Sequence, residues 1–265
     1  MNINNLGLLN ILGNIINEEH YNSDYAIAEF ILNHIDEISF LTINRIVDEA
    51  FVSRSAVRRF CIRLGFQNFS ELKSSLTDII FPSNIHLRSF APVKGYRIEL
   101  LDGLIHMLKD MNKMITDKDI KYFVKLIYEY ETVYLICSNN TSSNLFKFQQ
   151  ELFFAKKVVK LVNNVFNEDT FKYVSKDSSL LLVVSVSGAF AQAINDTLKN
   201  VEATKVLFTA NKNYTFIDTY NQMYFINAQD HWNDEIWDDE LGLIGKYGIT
   251  YLFDLISEEY IYTYK

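Results

Sequence analysis

Glycine, proline and cysteine are scarce in this sequence: its 265 residues include 9 glycines, 2 prolines and 2 cysteines. So little glycine and proline excludes fibrous proteins and low-complexity disordered chains. Two cysteines are too few for a disulfide scaffold. Because Cys61 and Cys137 fall at apolar positions of different predicted domains, we expect both to be buried thiols without a chemical role. With 49% hydrophobic residues, the chain is predicted to be an ordered globular protein with room for two domains.

Long hydrophobic runs are missing as well. No apolar run approaches the ~20 residues that a membrane span needs, and the opening segment MNINNLGLLNILGNIINEEH lacks the basic region of a signal peptide. We therefore expect a cytoplasmic protein with no membrane partner. Acidic side chains outnumber basic ones by 33 to 25, for a formal net charge of −8. Most of such a surface repels phosphate, so any contact with nucleic acid must be confined to a local basic patch.

The charge balance is reversed in one stretch, residues 42–66, TINRIVDEAFVSRSAVRRFCIRLGF. No acidic residue occurs between Glu49 and Glu71, although four arginines do. Apolar residues recur at helical spacing before residue 48 and again after Ser53, whose hydroxyl can cap a helix that ends near Gly65. The stretch is therefore predicted to form two short helices joined by a tight turn.

The second of these helices is amphipathic. Its apolar positions have the i, i+3, i+4, i+7 spacing of a buried stripe, and they are Val57, Phe60, Cys61 and Leu64. The opposite face is polar and cationic. This arrangement is typical of a helix-turn-helix whose second helix enters the DNA major groove; the alternative is a solvated arginine face. If the first interpretation holds, the candidate DNA-binding residues are Thr42, Ser53, Arg54, Ser55, Arg58, Arg59 and Arg63.

A longer motif surrounds this helix. The segment VSRSAVRRFCIRLGFQNFSELK, within residues 25–76, follows a pattern of the type V-S-x-x-T-V-x-R-F and then L-G-F-x-x-F-x-x-[FL]-[KR]. In this it resembles the N-terminal domain of the RpiR family of bacterial sugar-responsive transcription regulators. The resemblance covers the whole recognition unit and implies binding to a double-stranded DNA operator.

The chain divides at its prolines. Both lie in FPSNIHLRSFAPVKGYR, residues 81–97, which we interpret as a linker. Before it, helices are predicted over residues 6–17, after the cap Asn22-Ser23, and from a cap at Ser70 to residue 80, so residues 1–80 make an all-α helix-turn-helix domain. After it, a long helix is predicted over residues 98–116, where its apolar stripe serves either the core or a dimer seam.

Residues 98–265 change to short β-branched and aromatic runs that alternate with helical stretches. Five strands are predicted, at 132–137, 157–162, 179–187, 205–210 and 223–228. Strands separated by helices pair in parallel, so this is an α/β domain with a five-stranded, doubly wound parallel sheet. The continuously apolar run SLLLVVSV marks its central strand.

Two predicted strands end in hydroxyl- and amide-rich loops that open helices: residues 138–143, SNNTSS, and residues 185–188, SVSG. Helix N-termini and hydroxyls bind anions, and ligands of such sheets bind where the strand order reverses. The alternative is that these residues only cap helices. The candidate effector-binding residues are Ser138, Asn140, Thr141, Ser142, Ser185, Ser187 and Gly188.

The order strand, Ser/Thr loop, helix, strand, helix, strand and S-x-S-G over residues 120–255 resembles the sugar isomerase (SIS) domain, which binds phosphosugars and accompanies RpiR-type helix-turn-helix domains. That resemblance implies a phosphosugar effector. The sequence departs from it in two places: the glycines of the G-x-G-x-S loop are absent, and Phe190 stands where S-x-S-G-x-T has its threonine. Either the pocket is narrowed by Phe190, or it has lost its ligand and the domain only dimerises.

A regulator is a better interpretation than an SIS-type isomerase. Moving a proton between sugar carbons needs a placed carboxylate or imidazole, and none stands at the start of the helix after Gly188. The acidic run HWNDEIWDDE, residues 231–240, lacks the repeated spacing of a metal site. We therefore expect no enzyme activity, no catalytic residue, no metal and no cofactor. A single short recognition helix offers little specificity, so we expect a homodimer or larger oligomer on a near-palindromic operator.

Overall fold

The computed structural model describes residues 5–17, 21–80, 93–163, 171–172, 174–175, 177–212, 218–226 and 242–265. The chain forms two compact units, Met1–His86 and Leu87–Lys265. The predicted fold class is confirmed: the first unit is helical, and the second holds a five-stranded parallel sheet. Within the described ranges, no helix combines the length and the hydropathy needed to cross a bilayer. The acidic run at 231–240 lies outside the described residues.

The first unit consists of five α-helices and one 3-10 helix within its described part. They are α1 (Asn5–Asn17), α2 (Ser23–Asn33), the 3-10 helix (Ile35–Phe40), α3 (Ile43–Glu49), α4 (Arg54–Arg63) and α5 (Phe69–Ile80). They share one core, to which they contribute Leu12, Ile31, Ile38, Ile46, Phe60 and Leu72. The apolar side chains of the predicted helical stripes thus pack against the helix-turn-helix, as predicted.

The helices of this unit are capped by short polar side chains. The Asn22 side-chain oxygen accepts hydrogen bonds from the N–H groups of Asp24 (2.8 Å) and Tyr25 (3.1 Å), as expected for a cap. The predicted cap at Ser70 is wrong, because α5 begins at residue 69 and its cap is Asn68, whose side-chain oxygen accepts from the Glu71 N–H at 3.0 Å. An asparagine amide reaches the first turn as well as a serine hydroxyl does, so the two positions could not be separated by residue type.

The second unit alternates helices and strands. Its elements are α6 (Val93–Met114), α7 (Asp117–Glu129), β1 (Thr132–Cys137), α8 (Asn139–Phe154), β2 (Val159–Val162), β3 (Ser179–Val184), α9 (Ala189–Lys199), β4 (Thr204–Thr209), β5 (Gln222–Phe225), a π-helical turn (Ile244–Gly248) and α10 (Ile249–Tyr264). Helix α6 begins five residues before the expected position, so residues 93–97 of the predicted linker are helical. A proline ahead of the first turn removes no helical hydrogen bond, so Pro92 does not prevent that start.

The sheet has the strand order β2-β1-β3-β4-β5, with every pair parallel. Every residue of β3 is buried, as predicted for a central strand. Side chains alternate between the two faces of a strand. Leu180, Leu182 and Val184 join the core formed with α6, α7, α8 and α10, so Leu181 and Val183 face the side covered by α9. The sheet is therefore doubly wound, and its order reverses between β1 and β3.

Candidate DNA-binding and effector sites

Helices α3 and α4 form the predicted helix-turn-helix, and each is capped by a hydroxyl, with Ser53 as the cap of α4 that the sequence predicted. Thr42 Oγ1 accepts a hydrogen bond from the Arg45 N–H at 3.2 Å, and Ser53 Oγ accepts one from the Ala56 N–H at 3.1 Å. The inner face of α4 is buried, and burial raises the pKa of the Cys61 thiol to about 11. This thiol is therefore uncharged at neutral pH and serves only packing.

The exposed face of α4 holds three of the candidates. Ser55, Arg58 and Arg59 are all exposed, and the Ser55 hydroxyl is 2.9 Å from that of Ser53. Within the described residues, neither Arg58 nor Arg59 has a hydrogen-bonding or ion-pair partner. Two guanidinium groups thus stand in solvent with all their donors available.

The flanking arginines have partners. Arg54 donates a hydrogen bond to the side-chain oxygen of Asn44, which leaves its charge uncompensated, whereas Arg63 is ion-paired with Asp24. Arg54 and Arg58 also line an open hollow of about 360 Å³ between α3, α4 and the start of α5. The cationic surface that remains free of carboxylates is therefore made by Arg54, Arg58 and Arg59.

The two candidate effector loops lie side by side. Residues 137 and 184 are register partners at the carboxyl ends of β1 and β3, so residues 138–143 and 185–188 emerge together where the strand order reverses. The burial of the Cys137 thiol at this edge raises its pKa to about 12, so it is also uncharged. The structure thus brings both predicted loops to the crevice in which doubly wound sheets bind ligands.

In the first loop, the hydroxyls of Ser138 and Thr141 are 3.1 Å apart and half-buried. Ser138 is the N-cap residue of α8, and its carbonyl accepts hydrogen bonds from the N–H groups of Thr141 and Ser142. Ser142 is buried, at 7% exposure. The Asn140 side chain lies outside the described part of the chain. Ser143 is exposed, and its hydroxyl donates to Asn144 Oδ1 at 3.2 Å. Among the candidate residues of this loop, Ser138 and Thr141 therefore have the hydroxyls that are more accessible than that of Ser142.

In the second loop, the two serines differ. The Ser185 side chain is buried and its Oγ accepts from the Ala191 N–H at 3.1 Å, so this hydroxyl holds the start of α9. Ser187 is exposed, and among the described residues its Oγ has only one long contact, accepting from the Ala189 N–H at 3.4 Å. Ser187 is therefore the serine of this loop that is open to a ligand. Phe190 is buried on the inner side of α9, at 6% exposure.

Gly188 takes a left-handed conformation, with φ of +80°. A side chain there would meet Asn211, because an added Cβ would lie 2.5 Å from Asn211 Nδ2 and 2.8 Å from its Cβ. The Asn211 amide donates to the Ser187 carbonyl at 2.8 Å, and the Thr209 hydroxyl donates to the Val186 carbonyl at 3.3 Å. The end of β4 thereby fixes the loop after β3.

Comparison with known proteins identifies the first unit. Residues 7–82 match the helix-turn-helix domain of the rpiR family. The HTH-type transcriptional regulator GlvR of Bacillus subtilis is 27% identical to this chain over 69% of each protein. The first unit therefore contains an rpiR-family helix-turn-helix domain.

Solved structures share the fold of this chain. The NanR protein of Vibrio vulnificus, solved in complex with ManNAc-6P, matches 97% of the chain and 92% of its own length, with a TM-score of 0.50 and 18% identity. The sugar isomerase domain of the RpiR transcription factor from Sphaerobacter thermophilus matches 63% of the chain and 90% of its own, with a TM-score of 0.50 and 11% identity. The α/β unit therefore has the sugar isomerase fold.

Two features of this RpiR-family domain were missed from the sequence. Ile62 lies on the same face of α4 as Ser55, Arg58 and Arg59, and 55% of it is exposed. Its spacing from those residues, i+7, i+4 and i+3, would have placed it there. Phe51, in the turn, has a φ of +54° and is 92% exposed. No signal predicts this, because a left-handed turn residue is usually glycine or asparagine.

Asn211 was missed in the effector region. The sequence gives it no cap or motif, because its role depends on β3 and β4 being neighbours. Groups of three or more metal-ligating side chains are absent from the described residues.

Proposed function

We propose that this regulator binds its operator through α4 as a homodimer in the cytoplasm, and that its α/β unit binds a phosphorylated sugar that changes the affinity for DNA. The observation that carries the proposal is the exposed face of α4, where Arg58 and Arg59 have no partner within the described residues in a protein of net charge −8. Arginines without a carboxylate partner on a surface helix cost little folding free energy in water, and they contribute most to binding when they contact phosphates and guanine bases.

On DNA, Ser55, Arg58 and Arg59 are proposed to contact base edges, and Ile62 to contact thymine methyl groups. Thr42, Ser53, Arg54 and Arg63 are proposed to contact phosphates. Arg63 must then exchange Asp24 for a phosphate oxygen, whereas Arg54 needs only to release a neutral amide. This division follows from the geometry of α4, because its N-terminal residues and one face enter the major groove together.

Two copies are proposed to bind one operator. A single recognition helix with three or four base-contacting residues discriminates poorly against a genome of competing sites. Two-fold dimers bind half-sites ~34–36 Å apart, or at multiples of that spacing. The operator is therefore expected to be a near-palindrome.

The effector is proposed to bind at the crevice between β1 and β3. The proposed donors are backbone N–H groups at the starts of α8 and α9 and the hydroxyls of Ser138, Thr141 and Ser187, a set that suits a phosphate. The NanR structure with ManNAc-6P supports a sugar phosphate in a protein of this fold. Isomerase activity is not part of the proposal, since neither loop contains a carboxylate or an imidazole.

Enrichment of genomic fragments on the purified protein, with and without hexose and amino-sugar phosphates, tests the proposal. We expect a near-palindromic sequence in the enriched fragments and a change of affinity of ~5–150-fold with one compound, as is typical of coupled sites. Binding that is equal for all fragments would contradict a regulator. Operator binding unaffected by every sugar phosphate, together with no thermal shift, would leave a domain that only dimerises.

A further inference from the structure

The first half of α6 has an apolar stripe that is left in solvent. Ile98, Leu101 and Ile105 are 51%, 57% and 43% exposed, although all three are large aliphatic residues on one side of a 22-residue helix. The buried side of α6 is different: it contains Met107 and Met111, and Leu104 and Leu108 pack against the same core. At 100° per residue, the exposed stripe is centred roughly 100° away from the buried one. It is therefore a second apolar face of the helix.

The residue types on this face are those of a two-stranded seam. Ile98, Leu101 and Ile105 are spaced by three and four residues, so they occupy positions a, d and a of a heptad. Within parallel coiled coils, isoleucine at a with leucine at d favours two strands. Leu108, the next d position, already packs against the core of its own unit, so the exposed seam ends there.

The charges beside the seam are complementary across a parallel pair. Arg97 occupies position g and Asp102 the following position e. In a parallel coiled coil, position g of one helix faces position e of its partner five residues on. Arg97 would thus meet Asp102 of the partner subunit, and the symmetric pair would form on the other side. Neither side chain has an ion pair among the described residues of its own chain.

We propose that α6 pairs in parallel with α6 of a second copy, through Ile98, Leu101 and Ile105, as the centre of the dimer interface. This rests on the proposed function, which needs two copies on one operator. A stable interface buries ~800 Å² per partner, so residues around the stripe take part as well. The pairing brings the two N-termini of α6 together. Each is linked to its helix-turn-helix unit by about a dozen residues, which span at most ~40 Å, so half-sites one helical turn apart are within reach.

A charged residue in the seam tests the pairing. Sedimentation of the full chain should give a dimer for the wild type, and Leu101→Lys should raise the dimer dissociation constant by about a hundredfold or more. The matched control is Phe146→Lys, which places the same charge at a similarly exposed apolar residue of α8 (50%) and should leave the dimer unchanged. Both positions are exposed, so both variants should keep the circular dichroism of the wild type.

A charge exchange tests the register without an apolar change. Arg97→Glu and Asp102→Arg should each weaken the dimer, by about tenfold, because each makes two like-charge pairs. The double variant restores opposite charges and should return to the wild-type dissociation constant. Single variants without effect, or a double variant as weak as the singles, would overturn the parallel register.

Disulfide trapping distinguishes the parallel from the antiparallel arrangement. Both natural cysteines are buried, so an introduced thiol is the reactive one. In a parallel pair, Ile98→Cys and Ile105→Cys should each cross-link to their own counterpart under mild oxidation. In an antiparallel pair, cross-links should form only when the two variants are mixed, which would overturn the proposal.

These experiments distinguish an error in the proposed α6 interface from an error in the proposed function. A wild-type dimer that persists in Leu101→Lys means that another surface joins the copies, and it overturns the seam while the regulator stands. Lower thermal stability of Leu101→Lys within an intact dimer would mean that the stripe is covered by its own chain, which also overturns it. A wild-type monomer that binds its operator tightly would contradict both the seam and the proposed dimer.

Discussion

The carboxylate of Asp24, at the start of α2, is ion-paired with the guanidinium of Arg63, at the end of α4. The pair joins residues 39 positions apart, and the Arg63 side chain stays 61% exposed while that of Asp24 is 13% exposed. An arginine held by a carboxylate binds a phosphate only by giving up that partner. The pair therefore reduces what Arg63 adds to DNA binding.

Asp24→Asn should release Arg63 and strengthen binding to DNA of any sequence. In the wild type Arg63 exchanges one anionic partner for another, whereas in this variant it only gains the phosphate, so the dependence of log K on log salt should steepen by about 0.9. Asp36→Asn, which removes the same charge from the 3-10 helix, is the control for net charge. Titration of random-sequence duplexes at several salt concentrations measures both. An equal slope in Asp24→Asn and Asp36→Asn would mean that Arg63 does not reach a phosphate.

Arg58→Ala and Arg59→Ala should each reduce the preference for the operator. A bidentate contact to a base contributes ~1–3 kcal/mol of discrimination, whereas a phosphate contact weakens all sequences about equally. Arg58→Lys and Arg59→Lys keep the charge without the planar fork, so they should keep general affinity and lose specificity. Competition between operator and scrambled duplexes provides the measurement. Full operator preference in both alanine variants would show that α4 is oriented differently.

Phe51→Gly should be more stable than Phe51→Ala by ~1 kcal/mol. Both remove the exposed ring, but only glycine adopts a φ of +54° without a steric cost of ~1–2 kcal/mol, and its greater unfolded-state freedom offsets part of that gain. Urea unfolding followed by circular dichroism compares the two. Equal stabilities would indicate that the turn relaxes out of the left-handed region.

Gly188→Ala should destabilise the α/β unit by ~2–4 kcal/mol, because it combines a left-handed alanine with a Cβ that overlaps Asn211. Asn211→Gly should recover part of this loss by removing the overlapping side chain. The remainder is the cost of the backbone conformation. A double-mutant cycle in urea separates the two contributions. Additive effects would contradict the overlap.

Ser187→Ala should weaken binding of the sugar phosphate by roughly tenfold to a hundredfold, since a hydrogen bond to a charged group contributes ~1.5–3 kcal/mol. Ser185→Ala should act differently: its hydroxyl holds the Ala191 N–H, so it should lower the unfolding free energy by ~1–3 kcal/mol. Calorimetric titration and urea unfolding of both variants test this contrast. An unchanged affinity in Ser187→Ala would mean that the ligand binds elsewhere.

If Phe190 narrows the pocket, the protein should bind small sugar phosphates more tightly than large ones.

Local patterns sufficed for much of the fold. The cap Ser53 is a hydroxyl residue just before a run of apolar periodicity, and the strands are β-branched runs between helices, so neither needs tertiary information to be predicted. The placement of the two effector loops at one edge followed from parallel pairing alone. The sequence could not show that Ser185 holds the start of α9 while Ser187 is open to a ligand, because this depends on which of the two hydroxyls contacts the backbone of α9.

Two features resisted prediction for a shared reason. The Arg63–Asp24 pair and the contact of Asn211 with the loop after β3 both depend on partners that are remote in the sequence. Periodicity reports which side of an element is apolar. It does not report which polar group on another element is near.

The composition of the loops at the edge where the strand order reverses, between β1 and β3, also determines how ligand binding should depend on pH. Neither loop at that edge contains an ionisable side chain, so the groups that would hold a phosphate there are amides and hydroxyls that stay unchanged between about pH 5 and 9. The only titration left in such a contact belongs to the ligand, whose phosphate loses its second proton near pH ~6. A sensor built this way responds to the charge of its metabolite and hardly to the acidity of the cell.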